Sequence, residues 1–261
     1  MDDIRWFAPN DFTRLIVSDL RGRGLTVVSD GDGPAGLVVA MSGSIAREAW
    51  RYAGRRRAPL VQYVWDVKPW WIGSGRWDPK WSTRGRLLRL PRLGRRYRHR
   101  RGSLSALRFV AKRAVAVWAP SAFSRSQVEA QLGVTCAVVR YCYDSDRFVA
   151  DGRPLGADAA TLLSVSRLVD YKNHSAVVLA AATFDPPRPV HLIGRGPERE
   201  GLEYLARSLD VPLVISADLS ADALRQAYRT ACVVVCPSRF EGMGLTPIEA
   251  AACGARVVAS D

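Results

Sequence analysis

The chain of 261 residues, of which 48% are hydrophobic, is long enough for one large domain or two ordinary domains with buried cores. No apolar run approaches the ~20 residues that a membrane-spanning helix needs, and the opening residues MDDIRWFAP do not resemble a signal peptide. The cysteines are odd in number and form no CxxC pair, which favours a reduced, cytoplasmic protein: Cys136, Cys142, Cys232, Cys236 and Cys253.

The formal net charge of +13 is distributed unevenly along the chain. Residues 1–150 carry 27 Lys and Arg against 12 Asp and Glu, whereas residues 151–261 carry 11 against 13. The whole basic excess therefore belongs to the first half, and this asymmetry indicates two domains with different partners.

The first half begins with short, β-rich apolar runs that predict strands over residues 4–9, 25–30, 36–41, 59–67 and 115–120. Helical patterns lie between them, over residues 12–23, 45–57, 104–114 and 124–132. The last helix begins with Ser124-x-x-Gln127, the spacing of a capping box. Residues 68–103, rich in Trp, Gly, Pro and Arg, interrupt this order. We therefore predict a Rossmann-like domain over residues 1–150 with an insert at 68–103.

The second half has the clearer pattern, with apolar strands predicted over residues 161–166, 189–194, 211–216, 232–237 and 255–260. Helical stretches separate them at 173–184, 198–209 and 220–231. Strands that are apolar throughout are buried on both faces, and helical crossovers imply a parallel sheet. This predicts a doubly wound α/β domain over residues 151–261, after a Gly- and Pro-containing boundary near 150–158.

Ligands of open parallel sheets bind beyond the carboxyl ends of the strands, so the loops that follow the strands are the candidate site. The loop after 161–166 carries Arg167 and Lys172 directly before a helix whose expected N-cap is Asn173. Two cations beside a helix N-terminus suit a diphosphate, although a solvated loop explains this segment equally well. The next strand is followed by Gly194-Arg195-Gly196-Pro197, a tight turn that is expected to bring backbone close to a ligand.

The strand at 232–237 is followed by a glycine loop in which Gly242 and Gly244 flank Met243. Such glycines let backbone N–H groups approach an anion. Thr246 and Pro247 are expected to begin the next helix, as its N-cap and its first helical residue.

Two carboxylates flank this loop: Glu241 at the end of the strand and Glu249 in what we expect to be the first turn of the helix. Both are expected to face one crevice. Each also has a purely structural interpretation, because Thr246-x-x-Glu249 is a capping-box spacing and Glu241 can be an ordinary loop carboxylate.

The segment FEGMGLTPIEAAACGARVVASD resembles the signature of glycosyltransferase family 4, in which two glutamates are separated by seven residues. The resemblance continues in order through SRLVDYKN, HLIGRGPE and ALRQAYRTACVVVCPS, and so covers residues 160–261. AVWAPSAFSRSQVEAQLGV and YCYDSDRF in the first half also resemble family segments. The resemblance implies the GT-B fold, two Rossmann-like domains with parallel sheets that face each other across a cleft. Because relatives continue beyond Asp261, we expect the second domain to be incomplete.

The resemblance implies sugar transfer, with retention of configuration, from a nucleotide-diphosphate sugar such as GDP-mannose or a UDP-sugar to a glycan or lipid-linked acceptor. It implies no metal and no other cofactor. The implied catalytic residues are Glu241, which holds the sugar, and Arg167 and Lys172, which bind the diphosphate. The implied donor-binding residues are Gly196, Met243, Gly244, Leu245 and Glu249, the last on the ribose hydroxyls.

The first half departs from the family pattern at two positions. Its first loop reads Pro9-Asn10-Asp11 where many relatives have a glycine pair, and Trp65-Asp66 stands where many have His-Asp. Trp65 and Asp66 are therefore the acceptor-side candidates. His99 and His174 are expected to lie at the surface.

The insert is basic and rich in tryptophan, with nine arginines between Arg84 and Arg101 and five of the eight tryptophans at 65–81. It is explained by a solvated loop, by binding to an anionic membrane surface, or by binding to nucleic acid. The sugar-transferase signature favours the membrane over nucleic acid and thus a peripheral position on the inner face.

Other functions remain open at this point. A nicotinamide oxidoreductase is disfavoured because no GxGxxG follows a first strand. A nucleotide-sugar epimerase or a phosphorylase on the same two-domain plan, and a non-catalytic basic binding protein, are the alternatives.

Overall fold

A computed structural model describes residues 4–7, 11–28, 35–41, 45–65, 67, 104–140, 143–150 and 160–260. The chain divides into two compact units, Met1–Cys142 and Tyr143–Asp261. The division thus comes before the predicted one at 150/151, and Phe148 packs in the core of the second unit. The predicted insert at 68–103 lies outside the described residues.

The first unit is built on six strands: β1 (Ile4–Phe7), β2 (Val27–Val28), β3 (Leu37–Ala40), β4 (Leu60–Tyr63), β5 (Ala116–Ala119) and β6 (Ala137–Val138). All pair in parallel, in the order β2-β1-β3-β4-β5-β6. Its helices are α1 (Asp11–Gly22), α2 (Ala46–Arg56), α3 (104–111) and α4 (Ala122–Leu132). The predicted parallel α/β sheet is confirmed, and β6 is a strand that the sequence analysis did not predict.

Both faces of this sheet are buried, as the continuous apolar strands require. Val38 points into a core shared with Leu107 and Val128, whereas its neighbour Val39 packs with Val17 on the other face. Alternate residues of a strand point to opposite faces, so a strand covered on both sides must be apolar throughout.

The second unit contains β7 (Leu162–Val165), β8 (Val190–Ile193), β9 (Leu213–Ser216), β10 (Val233–Cys236) and β11 (Val257–Ala259). Its helices are α5 (His174–Ala181), α6 (Arg199–Ser208), α7 (Ala221–Thr230) and α8 (Leu245–Ala252). The strands are parallel, in the order β11-β10-β7-β8-β9. The chain therefore adds strands on one side of β7 and then returns to its other side, so the strand order reverses between β7 and β10.

Two helices have starts that were predicted from capping residues. Helix α5 does begin directly after Asn173, as expected, but the Asn173 side chain makes no capping hydrogen bond and accepts one from Arg239 instead. The N-cap of helix α4 is Ser121, three residues before the predicted Ser124, and its hydroxyl accepts a hydrogen bond from the Ser124 amide at 3.0 Å. The predicted capping box at Ser124-x-x-Gln127 is therefore wrong.

No helix within the described ranges is both long and apolar enough to cross a bilayer. The cysteines in those ranges are free thiols: Cys136, Cys232, Cys236 and Cys253.

The glycine turn after β8 packs against the backbone of the loop after β7. A Cβ at Gly194 would lie 1.9 Å from the Ser166 carbonyl oxygen, and one at Gly196 would lie 2.0 Å from that of Leu168. The Leu168 amide also donates to the Arg195 carbonyl at 2.8 Å. The neighbouring loop thus fills the space beside these two α-carbons. This packing explains why both residues are glycine, and a bound ligand is not needed for that explanation.

Replacement of Gly196 by alanine should destabilise the protein by about 2–3 kcal/mol, because the new methyl group forces two backbone segments apart. Gly201→Ala is the matched control: Gly201 lies in α6, and a Cβ added there would meet nothing within 4 Å. That substitution should stabilise by up to ~1 kcal/mol through helix propensity. Urea unfolding of both variants checks the opposite signs, and equal effects would contradict this packing.

Candidate functional site

The reversal of strand order between β7 and β10 creates the place where an open parallel sheet binds ligands, since the helices that follow the two strands pack in different cores. The loop after β7 covers residues 166–173 and the loop after β10 covers 237–244. These two loops carry Arg167, Lys172, Glu241 and the backbone of Met243 and Gly244. The sequence-predicted donor residues are therefore brought to one edge of the sheet.

The two loops meet in a contact between Lys172 and Glu241. The Lys172 ammonium donates to the Oε2 atom of Glu241, with side chains 13% and 40% exposed respectively. The ring of Tyr171 lies 5.8 Å from the same ammonium and 5.9 Å from the guanidinium of Arg167, which also donates to its hydroxyl. The ring of Tyr171 thus lies beside both predicted diphosphate-binding cations, Arg167 and Lys172. Lys172 also contacts Glu241, the predicted sugar-binding acid.

Arg239 joins the same loops a second time, and the sequence analysis missed it. Its amide donates to the Tyr171 carbonyl at 2.8 Å, and its Nη2 atom donates to Oδ1 of Asn173 at 2.9 Å. Its Nη1 atom lies 3.5 Å from Asp170. Its position in the sequence, two residues before Glu241, is the feature from which its place in the site could have been predicted.

The helix after the glycine loop begins earlier than predicted. Helix α8 starts at Leu245, and its N-cap is Gly244 with φ 71°. The predicted N-cap Thr246 and first helical residue Pro247 are therefore wrong by two residues. Thr246 instead donates its hydroxyl to the Val165 carbonyl at 3.1 Å, which ties α8 to the end of β7. The first amides of a helix have no intrahelical acceptor, so those of Leu245 and Thr246 point towards this edge and need acceptors outside α8.

Glu249 lies beyond the first turn of α8, which corrects the predicted position. Its Oε2 atom accepts a hydrogen bond from the hydroxyl of Tyr228 at 3.2 Å, and Tyr228 is fully buried. Because Thr246 and Glu249 have these other partners, the capping-box interpretation does not explain the pair. Burial raises the pKa of Glu249 above its ordinary value, and the Tyr228 hydrogen bond and the charge of Arg147 oppose that shift.

His174, predicted to lie at the surface, is 3% exposed. Its Nε2 atom lies 2.9 Å from the Ser166 hydroxyl and 3.3 Å from the Arg167 carbonyl oxygen. Burial lowers the pKa of the imidazole below its ordinary value. The surface prediction is wrong because the loop after β7 folds over this side chain.

In the first unit, the acceptor-side candidate Trp65 uses its polar groups within the fold. Its indole N–H donates to the Met41 carbonyl, and its own carbonyl accepts from the Ser124 hydroxyl at 3.1 Å. Asp66 and His99 lie outside the described residues. Within the described part of the chain, no three His, Cys, Asp or Glu side chains cluster as metal ligands would.

Sequence comparison finds relatives that match part of the chain. Residues 151–261 match the family described as glycosyl transferases, group 1. The D-inositol 3-phosphate glycosyltransferase of Acidothermus cellulolyticus is 33% identical over 120 residues, which are 41% of this chain and 27% of the relative. A GDP-mannose-dependent α-(1-6)-phosphatidylinositol monomannoside mannosyltransferase of Mycolicibacterium smegmatis is 28% identical over 59% of this chain and 46% of its own length. The chain thus spans less than half of these curated relatives.

Structure comparison covers nearly the whole chain. HepE of Anabaena, solved with UDP and glucose, aligns with a TM-score of 0.72 at 15% identity over 99% of this chain and 80% of its own. Sucrose-phosphate synthase of Thermosynechococcus elongatus aligns with a TM-score of 0.66 at 17% identity, over 95% and 59%. The chain therefore has the two-sheet α/β fold of GT-B glycosyltransferases, and its residues 151–261 match the group 1 glycosyl transferases.

Proposed function

We propose that the chain belongs to a retaining glycosyltransferase that moves a sugar from a nucleotide-diphosphate sugar to a glycan or lipid-linked acceptor. The observation that carries this proposal is the contact between Lys172 and Glu241 across the strand-order reversal. In a nucleotide-diphosphate sugar, the anomeric carbon and the β-phosphate share one oxygen. A cation and a carboxylate in contact are spaced to hold the phosphate and the sugar of one such donor.

The site supplies positive charge where the leaving group needs it. When the bond between the anomeric carbon and the phosphate oxygen breaks, the nucleoside diphosphate leaves with its electron pair. Lys172 and Arg167 stabilise that charge, together with the N-terminal end of α8. No metal ion is required in this proposal.

The acceptor hydroxyl attacks on the face from which the diphosphate departs, which retains configuration. Its oxygen bonds to the anomeric carbon, and its proton passes to the departing phosphate oxygen. Atoms and electrons then balance without a protein nucleophile. Glu241 holds a sugar hydroxyl during this step, while its contact with Lys172 fixes the carboxylate.

Glu249 accepts hydrogen bonds from the ribose hydroxyls in this proposal. The Tyr228 hydroxyl engages its Oε2 atom and so fixes the carboxylate against the helix. Met243, Gly244 and Leu245 line the junction of phosphate and sugar through their backbone, and Gly196 borders the donor beside them. These groups contact the ribose and the diphosphate, parts that GDP and UDP donors have in common.

The acceptor side is proposed from sequence. Trp65 and Asp66 follow β4, and the arginines between Arg84 and Arg101 suit an anionic membrane that presents a lipid-linked acceptor. We therefore propose a cytoplasmic protein that binds peripherally to the inner face of the membrane. Sedimentation with anionic vesicles, compared with retention on duplex DNA, separates that partner from nucleic acid.

Lys172→Met should lower turnover of the donor by about 100-fold or more, because it removes a fixed charge at the developing diphosphate. Glu241→Gln should also lower turnover, through loss of the anionic acceptor for the sugar. Steady-state kinetics on UDP- and GDP-sugars measures both effects.

The matched control is Arg23→Met, which breaks the exposed ion pair of Arg23 with Asp19 (2.9 Å) in the first unit. Such pairs contribute little, so its turnover and stability should stay near those of the wild type. If Lys172→Met turns over the donor as fast as the wild type, the proposed donor site is wrong.

Glu249→Gln should raise the melting temperature at pH 8 and weaken binding of UDP or GDP by roughly 10-fold, because a charged acceptor becomes neutral. The pKa of Glu249 is raised in the folded protein, so its contribution to stability is present at low pH and lost as pH rises through that value. Glutamine carries no such pH dependence. The melting-temperature advantage should therefore shrink as pH falls towards about 4; an advantage that is constant with pH would contradict this account.

A further inference from the structure

His174 is a buried polar side chain for which the proposed reaction has no direct use. It is the first residue of α5, and it follows Lys172 by two positions. Its Nε2 atom faces the Ser166 hydroxyl and the Arg167 carbonyl oxygen at 2.9 and 3.3 Å. Its Nδ1 atom is buried and has no hydrogen-bond partner among the residues that the structure describes.

These contacts select one form of the imidazole. If Nδ1 carried the proton, a buried N–H group would have no acceptor, and the Nε2 lone pair would face the Arg167 carbonyl oxygen. If Nε2 carries it, the N–H is shared between the hydroxyl and the carbonyl, and only a lone pair on Nδ1 is left without a partner. Buried N–H groups without acceptors are the rarer and costlier case. The neutral ring with its proton on Nε2 therefore fits the site.

The groups that this N–H contacts belong to the segment that carries both cations. The Arg167 carbonyl lies in the same residue as the guanidinium that donates to Tyr171, and Lys172 contacts Glu241 five residues later. The other side of this segment is held by the glycine turn, where the Leu168 amide donates to Arg195. His174 thus fixes the segment from inside the fold.

We propose that His174 is a positioning residue for the donor diphosphate: its Nε2–H holds Ser166 and the Arg167 backbone, and so places Arg167 and Lys172. This inference rests on the proposed function for the identity of the ligand. The placement of the segment itself does not depend on it. His174 touches neither substrate nor reacting atoms and acts only through its hydrogen bonds.

The geometry allows an atom-specific test with two amides. The Nε2 atom of glutamine reaches the position of the imidazole Nε2, whereas the Nδ2 atom of asparagine reaches that of Nδ1. His174→Gln should therefore keep the hydrogen bonds, and His174→Asn should lose them. Amide hydrogen exchange of the full chain over residues 166–173 should be ~10-fold faster in His174→Asn than in His174→Gln.

Donor kinetics and binding of UDP or GDP provide the second measurement. His174→Asn should raise the donor KM and the dissociation constant by roughly 10-fold and lower kcat, while His174→Gln stays near the wild type. A purely structural role would reduce the folded fraction, and hence the apparent kcat, with the donor KM unchanged. Equal exchange over 166–173 in both variants would overturn the proposal whatever the ligand is.

The two proposals fail in different ways. If the wild type binds neither nucleotide nor nucleotide sugar but exchange still separates asparagine from glutamine, the proposed function is wrong and the positioning of the segment stands. If the wild type binds the donor and both variants share its KM and exchange, the function stands and the role of His174 is wrong.

Discussion

The contact between Lys172 and Glu241 is the interaction on which this account depends. It joins residues 69 positions apart, and it forms because β7 and β10 are neighbouring parallel strands whose following loops leave at the same edge. A single ion pair of this exposure contributes little to stability. The contact therefore matters for position and not for stability. It holds a cation and a carboxylate within reach of one ligand at the strand-order reversal.

The surrounding contacts hold the two loops in this placement from several sides. The glycine turn fits its bare α-carbons against the loop after β7, and Thr246 ties the start of α8 to the end of β7. Arg239 bridges the loops from the exposed side. These contacts hold both the backbone and the side chains of the loop, so they constrain where the loop lies. A site that must hold a flexible diphosphate benefits from cations that are already in position.

Glu249 and His174 are ionisable groups of the second unit that the fold withdraws partly or fully from water. Glu249 carries a carboxylate whose charged form is disfavoured by burial, and it is held by the fully buried Tyr228. Burial lowers the pKa of the His174 imidazole and so favours its neutral form. Buried polar groups of this kind concentrate at functional sites, where stability is exchanged for a defined arrangement of charge.

The sequence predicted the two parallel sheets and the strand ends that carry Lys172 and Glu241, because continuous apolar runs and the position of polar residues after them have a direct structural meaning. The sequence did not predict those features of the site that depend on contacts between distant segments of the chain. The hydroxyl of Tyr228 and the imidazole of His174 are polar groups whose partners lie elsewhere in the fold, and helical spacing says nothing about them. The predicted start of α8 was wrong because the Thr246 hydroxyl donates to the Val165 carbonyl on β7 and does not cap an amide of its own helix.

A crystal structure of the protein with UDP or GDP tests the proposed donor site directly. We predict that the diphosphate lies within about 3 Å of the terminal nitrogen atoms of Arg167 and Lys172, with the ribose hydroxyls on Glu249. A nucleotide bound at another strand end, with Lys172 and Glu241 making no contact to it, would contradict the account.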